Sequence, residues 1–297
     1  MRASSRKTKL FFTAACVSAL VAVLSGCSQT LSATSTSSPS SMSKTGQAIR
    51  SFDDSTSDYV VKDYLAIVDP SQLKGKLPPV KPEVITHGNT SLKRVALTLD
   101  DGWNPDMRIL TLLKNMNIKF TTFLIAGRGV VDTHPEFVRA IEDADGEVCS
   151  HTYDHYVMRG KDEATVMMEI YKSQELIAGI THKVYPYMRF SGGAYDQPAL
   201  DWTAREGYWV VNWSATDNDT AKNPSVDSQV NTMLAGLAPG AIYLCHWGGH
   251  NTYEVLSRVL PEIQRRGYEI TSLTGVFEGT PYLLKEPPKK KASSSNS

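Results

Sequence analysis

The chain has 297 residues, and its 31 basic and 31 acidic side chains give a formal net charge of zero. This balance removes the electrostatic reason to expect nucleic acid as a partner. Hydrophobic residues make up 41% of the chain, a share that is ordinary for a soluble globular core, and the length suits one α/β barrel with a tail at each end.

The first residues of the chain have the composition of an export signal. Four basic side chains within the first nine residues precede an uncharged, mostly apolar run over residues 10–24. This run is shorter than the roughly 20 residues that a membrane-spanning helix needs, so we interpret it as the apolar core of a signal peptide. It closes on Leu24-Ser-Gly-Cys27, which resembles the lipobox of bacterial lipoproteins.

The lipobox resemblance implies that residues 1–26 are a signal peptide and that Cys27 carries lipid and becomes the mature N-terminus. The protein would then be anchored to the membrane through this lipid, at the extracytoplasmic face of a bacterial cell. An ordinary signal peptide followed by a chance cysteine is the second interpretation. We rank it lower because small residues directly before a cysteine are what the lipobox requires.

Composition divides the rest of the chain. Residues 27–59 are rich in Ser and Thr and are predicted to form a flexible tether. Residues 60–92 are interpreted as a lead-in segment, residues 93–275 as the folded domain, and residues 276–297 as a largely disordered tail. Cys149 and Cys245 lie in apolar runs of the folded domain, and we predict two separate buried thiols rather than a disulfide.

Strand-like and helix-like patterns alternate through the folded domain. The predicted strands are 95–99, 120–125, 147–150, 183–190, 209–213, 241–245 and 268–272. The predicted helices are 106–116, 135–144, 162–180, 198–206, 226–237 and 253–266. This alternation predicts an α/β fold, an irregular (β/α) barrel of about seven parallel strands with its chemistry at the carboxyl ends of the strands.

Five of the seven predicted strands end in, or run into, ionisable side chains. In chain order these are Asp100 and Asp101, His151 and His155, Arg189, Asp217 and Asp219, and His246. Each has an ordinary explanation, since Asp-Asp-Gly is a common turn sequence and exposed histidine pairs are often incidental. Because parallel strands bring their carboxyl ends to one rim, the convergence of these residues indicates a functional site.

Two histidines and one carboxylate form a suitable three-ligand site for Zn²⁺ or a similar divalent ion, with the fourth position open to water. Such an ion acidifies its water and polarises a carbonyl group, and a second carboxylate nearby can accept the proton of the water. The zinc-peptidase motif needs Glu after the first histidine, where Thr152 stands here, so that mechanism is disfavoured.

Several motifs, in this order, resemble those of the NodB-type polysaccharide deacetylases, a family of carbohydrate esterases. They are Thr98-Leu-Asp-Asp-Gly102, His151-Thr-x-x-His155, Arg189-x-x-x-Gly193, Asp219 and Leu244-x-His246. The resemblance covers about residues 93–275 and implies an irregular barrel of the deacetylase type. It also implies that Asp101, His151 and His155 hold a divalent metal, with zinc expected and cobalt or another divalent ion as alternatives.

The resemblance further implies roles in catalysis. Asp100 would be the general base, oriented by Arg189. His246 would be the general acid, tuned by Asp219. The two residues expected at the acetyl group are Leu244, which would line a pocket for the methyl, and Gly192, near which a backbone N–H would help to stabilise the oxyanion.

The chain departs from the usual pattern of this family along the groove. Ser191 and Gly192 stand where Pro and Tyr are usual, Thr220 where Trp is common, and Trp103 where Pro is common. None of these changes removes an implied ligand, acid or base, but they remodel the groove wall. Four aromatic side chains are candidates either for stacking on sugar rings or for packing: Trp103, Tyr153, Tyr195 and Trp247.

The resemblance implies a metal-dependent hydrolase that removes N-acetyl groups from a cell-envelope polysaccharide, and we rank peptidoglycan first among the candidate substrates. The implied mechanism uses metal-activated water with an Asp base and a His acid. The expected partners are this acetylated polysaccharide and the membrane, with no nucleic acid, and we expect a monomer. Two alternatives stay open: an esterase for O-acetyl groups, as on xylan, and a catalytically degenerate lipoprotein that only binds carbohydrate.

Overall fold

The structure is a computed structural model that describes residues 77–283. The predicted signal peptide, the predicted lipidation site Cys27, the tether and most of the lead-in segment lie outside the described residues, as does the chain from residue 284 onward. Among residues 77–283, no helix combines the length and the apolar composition needed to cross a membrane.

Nine strands form one sheet within these residues. In chain order they are β1 (Val84–Ile85), β2 (Arg94–Asp101), β3 (Phe120–Leu124), β4 (Gly146–Ser150), β5 (Tyr187–Met188), β6 (Trp209–Val211), β7 (Ala215–Thr216), β8 (Ile242–His246) and β9 (Glu269–Thr271). Their order across the sheet is β1-β6-β5-β4-β3-β2-β8-β7, with β9 beside β2. The strands all pair in parallel, which requires the crossover connections that helices supply.

Eight α-helices lie between and after the strands in the described part of the chain. They are α1 (Met107–Asn115), α2 (Val130–Thr133), α3 (Pro135–Glu142), α4 (Glu163–Thr181), α5 (Gln197–Arg205), α6 (Val226–Ala235), α7 (Thr252–Arg265) and α8 (Leu273–Val276). Five of them begin at a side chain that accepts a backbone N–H which the first turn leaves unpaired. These capping residues are Asp106, Asp162, Asp196, Ser225 and Ser272.

The sheet curls until its two ends meet. β6 and β7 are successive segments of one stretch, residues 209–216, yet β6 pairs with β5 whereas β7 pairs with β8 at the other end of the sheet. An antiparallel bridge between His87, which follows β1, and Ala241, which precedes β8, joins the same two ends. The predicted irregular barrel of parallel strands is therefore confirmed.

β2 lies between β3 and β8, and its two faces pack differently. The side chains of residues 95, 97 and 99 belong to the main core, which includes Ile109 of α1 and Val255 of α7. Ala96 faces the interior of the barrel together with Phe123. Because strand side chains alternate between faces, residues 96, 98 and 100 share the inward face. This alternation places the carboxylate of Asp100 on the inward face, at the end of the strand.

The lengths of some predicted elements differ from the structure. The strand predicted over residues 183–190 is reduced to Tyr187–Met188, since Pro186 directly before it lacks the N–H that a strand ladder uses. The prediction misses β1 and β7, which have two residues each, and α2 and α8, which have four each. Elements this short contain only about one period of an apolar pattern, so the pattern does not repeat and gives no sequence signal.

The packed domain extends beyond residues 93–275 on both sides. β1 lies in the predicted lead-in segment and pairs with β6. Phe277 is fully buried, and the Tyr282 ring lies edge-on to Trp209 with 5.2 Å between the ring centroids. Residues 276–283 of the segment predicted to be largely disordered therefore belong to the packed domain, and for residues 284–297 disorder stays a prediction.

The two cysteines of the domain do not form a disulfide. Cys149 in β4 and Cys245 in β8 are both free and buried, which confirms the predicted pair of separate thiols. Burial raises the pKa of both thiols well above its ordinary value, so neither is a ready thiolate.

Candidate active site

Asp100 and Asp101 occupy the last two positions of β2, at the rim of the barrel. Asp100 continues the inward face of the strand and is buried. Asp101 has a φ of +72°, a left-handed conformation that is uncommon for a residue with a side chain. This conformation breaks the alternation, so both carboxylates approach His151, whose Nε2 lies 3.7 Å from Asp100 Oδ2 and 3.3 Å from Asp101 Oδ1.

Three donor atoms converge at this point of the rim. Asp101 Oδ1 lies 3.3 Å from both His151 Nε2 and His155 Nε2, and the two Nε2 atoms are 3.2 Å apart. Ligand atoms held about 2.0–2.2 Å from a zinc ion at tetrahedral angles lie roughly 3.3–3.6 Å from one another. The three side chains therefore fit a divalent ion in spacing and in donor type, and no other such group of three occurs within residues 77–283.

A hydrogen bond determines which nitrogen of His151 faces the other two groups. Nδ1 lies 2.9 Å from the carbonyl oxygen of Arg189, which can only accept a hydrogen bond. Nδ1 therefore donates, and the lone pair of Nε2 is directed toward Asp101 and His155. This tautomer is the one that a metal ligand needs.

Burial and neighbouring charges shift the pKa of two of these groups, Asp101 and His155. Burial acts to raise the pKa of Asp101, but the hydrogen bond and charge that His151 supplies when it is protonated, with the charges of two other histidines, outweigh it and lower this pKa. Burial and the charge of His151 lower the pKa of His155, against the opposing charges of the two carboxylates. An ionised carboxylate and neutral imidazoles are the protonation states that coordinate a metal.

Arg189 lies inside the barrel, fully buried, and binds Asp100. Its Nη1 donates to Asp100 Oδ1 at 2.6 Å and to Thr98 Oγ1 at 2.9 Å. Its Nε and Nη2 donate to the carbonyl oxygens of Val211 and Asn212, at 2.8 Å and 3.1 Å. Asp100 is the only charged acceptor in this set, so the predicted pairing of these two residues is present, and it leaves Asp100 Oδ2 without a bond to the guanidinium.

His246 ends β8 directly beside Asp100 in the register of the sheet. Asp219 holds it twice, because Oδ1 lies 2.7 Å from the ring Nδ1 and Oδ2 accepts the backbone N–H of His246 at 2.6 Å. Burial acts to lower the pKa of His246, but the hydrogen bond and charge of Asp219 and the charges of the two β2 acids raise it to about 9. The ring of His246 is therefore protonated on both nitrogens at neutral pH. Asp219 accepts the hydrogen bond of Nδ1–H, which leaves Nε2–H free to donate.

The two residues expected at the acetyl group lie near these motifs. Leu244 is almost fully buried on β8, two residues before His246. Gly192 lies in a short 3-10 turn with φ +59°, and a Cβ added there would meet no atom within 4 Å. The space beside Gly192 is therefore open.

Of the four aromatic candidates, two are exposed and two are packed. Trp103 and Tyr195 are 53% and 37% exposed, and the Trp103 ring lies edge-on to the His155 ring with 6.2 Å between centroids. Trp247 is buried in the core, and its Nε1–H donates to a threonine hydroxyl. Tyr153 packs against the same core. For these last two residues the packing alternative is correct.

Sequence reasoning gives no individual role to two buried acids beside the site, and it does not single out the first of them, Glu169, at all. Glu169 on α4 accepts the backbone N–H groups of Tyr153 and Asp154, which lie between the two histidines. Asp217 accepts the backbone N–H of Asp219 at 3.3 Å, and burial together with the charge of Asp219 raises the pKa of Asp217 to about 7. A charged residue on the buried face of a helix is the signal that could have identified Glu169.

Comparisons with known proteins identify the family and relatives of this chain. Residues 87–211 match the family described as polysaccharide deacetylase. A peptidoglycan-N-acetylglucosamine deacetylase of Bacillus cereus is 28% identical over 192 residues, which cover 62% of this chain and 68% of that protein. A chitooligosaccharide deacetylase of Bradyrhizobium sp. is 32% identical over 205 residues, which cover 63% of this chain and 92% of that protein.

A similar solved structure is that of a CE4 family pseudoenzyme from Bacillus anthracis. It matches with a TM-score of 0.63 and 26% identity, over 67% of this chain and 70% of that chain. Its description as a pseudoenzyme means that the fold alone does not establish catalysis. Activity therefore depends on the side chains that this chain places at the site.

Proposed function

Because this chain belongs to the polysaccharide deacetylase family, we propose that it is a metal-dependent hydrolase that removes N-acetyl groups from a cell-envelope polysaccharide, with peptidoglycan as the substrate. One observation carries the proposal. A three-donor group with 3.2–3.3 Å spacing lies next to an acid bound by a buried arginine and a histidine bound by a buried aspartate. The names of the relatives support the acetylated glycan as the substrate class.

Asp101, His151 and His155 would hold the divalent ion. Two imidazoles and one carboxylate suit zinc, and they also accept cobalt or another ion of similar preference. When bound, such an ion acidifies water and polarises the acetyl carbonyl group. The side chains around these three residues would supply the remaining chemistry.

Asp100 is proposed as the general base. Its Oδ1 is occupied by Arg189, so Oδ2 is the oxygen that accepts a proton from the attacking water. The water oxygen then bonds to the acetyl carbon. Arg189 fixes the orientation of this carboxylate, since the guanidinium is itself held by two backbone carbonyl groups.

His246 is proposed as the general acid. The bond between the acetyl carbon and the sugar nitrogen breaks, and the nitrogen takes the proton of His246 Nε2. The products are acetate and a free amine. Asp219 keeps Nδ1 of the ring occupied, so only Nε2 is available to donate to the substrate.

The substrate groove is proposed to include four further residues. Leu244 would contact the acetyl methyl group, and the turn at Gly192 would place a backbone N–H near the oxyanion. Trp103 and Tyr195 are large and exposed, which suits stacking on sugar rings. The open space at Gly192 leaves room for a substituted sugar.

The decisive experiment measures acetate released from purified N-acetylated peptidoglycan by the zinc- or cobalt-loaded protein. The same protein with a chelator and the Asp101→Asn variant are the controls, and O-acetylated xylan is the parallel substrate. We expect release from peptidoglycan that both controls abolish. Release from xylan alone would reassign the protein as an O-acetyl esterase. Metal binding without release from either substrate would leave only a carbohydrate-binding role.

We propose in addition that the protein is attached to the extracytoplasmic face of the membrane through lipid on Cys27. Support comes from the basic start of the chain, the short apolar run and the lipobox-like ending in the sequence. A cell-envelope substrate and an envelope location are consistent with each other.

A further inference from the structure

The segment between the two histidine ligands is held in place by side chains. Its four consecutive backbone N–H groups, at residues 152–155, all donate to side-chain oxygens rather than to a strand or helix. Thr152 N–H binds Ser150 Oγ at 3.1 Å, and His155 N–H binds Thr152 Oγ1 at 3.1 Å. The two N–H groups between them both bind one oxygen of Glu169.

Glu169 lies on α4, fourteen residues after His155 in the chain. Its Oε2 accepts the N–H groups of Tyr153 and Asp154 at 2.7 Å and 2.8 Å. The residue is fully buried, and its Oε1 has no hydrogen-bond partner among the described residues. A buried acid with one unpaired oxygen is costly, so the two N–H groups that its other oxygen accepts are the feature that accounts for a glutamate at this position.

The backbone that Glu169 holds is conformationally strained. Thr152 and His155 have φ of +71° and +60°, in the left-handed region that residues with a side chain rarely adopt. Such conformations persist only where the surrounding structure over-determines them. Two charge-assisted hydrogen bonds to the centre of the segment supply this constraint.

We propose that Glu169 is a positioning residue, which holds the segment between His151 and His155 so that their Nε2 atoms stay at metal-binding distance. The inference rests on the proposed metal site. Without Glu169 the segment can relax toward ordinary backbone angles. His155 would then move away from Asp101, since it has a left-handed φ and His151 is anchored separately through Nδ1.

Glu147 provides a matched control. It is also a buried glutamate, and it accepts from Thr121 Oγ1 at 2.7 Å and from Ser272 Oγ at 2.6 Å. It lies on β4, four residues before His151, which is about 13 Å along an extended strand. Its contacts join β3 and β4 to α8 and do not involve the histidine segment.

The experiment uses the full chain and measures zinc affinity by competition with a chromogenic chelator, with thermal unfolding as the check on folding. We expect Glu169→Ala to lower zinc affinity about 10–100-fold, the usual effect of losing a residue that orients metal ligands. Glu169→Gln should lower it less, because the amide oxygen still accepts but carries no charge. Glu147→Gln should leave it unchanged. The visible absorption of the cobalt-loaded protein should change in the same order.

Native zinc affinity in folded Glu169→Ala would overturn the inference, as would an equal loss in Glu169→Gln and Glu147→Gln. If Glu169→Ala does not fold, the comparison of the two glutamine variants decides, and equal affinities overturn the inference. Failure of the parent protein to bind zinc or cobalt would instead overturn the proposed metal site itself. The two failures are therefore distinguishable.

Discussion

Arg189 and Asp100 form an ion pair that is withdrawn from solvent, with Nη1 2.6 Å from Oδ1 and side-chain exposures of 0% and 3%. Moving two charges out of water costs free energy that their attraction only partly repays, so the pair is a poor device for stability alone. It does determine where the charge lies. One oxygen of Asp100 is tied inside the barrel, and the other is left at the rim beside the histidines.

Removing Arg189 should be strongly destabilising, because it leaves Asp100 as a buried charge without a partner. For Arg189→Met we expect the free energy of unfolding to fall by about 3–5 kcal/mol, measured by urea denaturation. Arg258→Met is the control, since its ion pair with Asp227 is 51% and 79% exposed. That change should cost less than about 1 kcal/mol. Equal effects of the two substitutions would contradict a buried charge at Asp100.

The pH profile should report the contact between His246 and Asp219. The pKa of His246 is raised to about 9, so activity that needs its proton should fall as the pH rises through about 9. In Asp219→Asn the charge is gone and the hydrogen bond is weaker while burial still acts, so this pKa should fall below that value. The falling limb of kcat/KM should move to lower pH.

Asp227→Asn, at an exposed carboxylate, should keep the parent profile. Metal content of both variants is measured alongside, to exclude loss of the ion as the cause. A falling limb that stays in place in Asp219→Asn would show that His246 is not the group that titrates.

His246→Ala separates an acid from a metal ligand. His246 is not part of the group of three donors, and its ring Nδ1 is taken by Asp219. We therefore expect the variant to bind zinc almost normally and to lose turnover by about 10²–10⁴-fold, the usual contribution of an acid or base. Isothermal titration gives the affinity and acetate release gives the rate. A stoichiometric loss of zinc would reassign His246 as a ligand.

Much of the site can be predicted because its residues stand where apolar strand patterns stop. The run over residues 95–99 ends at the two acids, and the strand of Cys245 ends at His246, so parallel pairing brings them to one rim. Glu169 could not be predicted in the same way. The helical period places it on a buried face, but which backbone groups it meets depends on how α4 crosses β4. Trp247 likewise follows His246 in sequence yet packs in the core.

The lipid anchor is tested by Cys27→Ser. The parent protein should be found in the membrane fraction, because lipid holds the mature N-terminus there. The variant should appear in the medium or remain as an unprocessed precursor, followed by mass and fractionation. Cys16→Ser is the matched control, since Cys16 lies within the predicted signal peptide and should have no effect. Clean processing with unchanged membrane attachment in Cys27→Ser would rule out this anchor.

The variants Asp100→Asn and Asp101→Asn should lose activity for different reasons. Asparagine keeps the size and shape of aspartate but removes its charge. Asp101 Oδ1 lies 3.3 Å from the imidazoles of His151 and His155, so with these three as the proposed ligands Asp101→Asn should weaken zinc affinity by about 100-fold or more. Added zinc should then restore part of the activity. Asp100→Asn keeps an oxygen that can accept from Arg189, so the variant should fold and keep its zinc.

Without a basic carboxylate, Asp100→Asn should nevertheless remain inactive at every zinc concentration. Metal content by mass spectrometry and acetate release across a zinc titration check both variants at once. Rescue of Asp100→Asn by zinc, with Asp101→Asn inactive throughout, would reverse the two assignments. Parent-like activity in both variants would mean that the two acids have only a structural role in a turn. The left-handed φ of Asp101 would then belong to that turn and have no connection with metal binding.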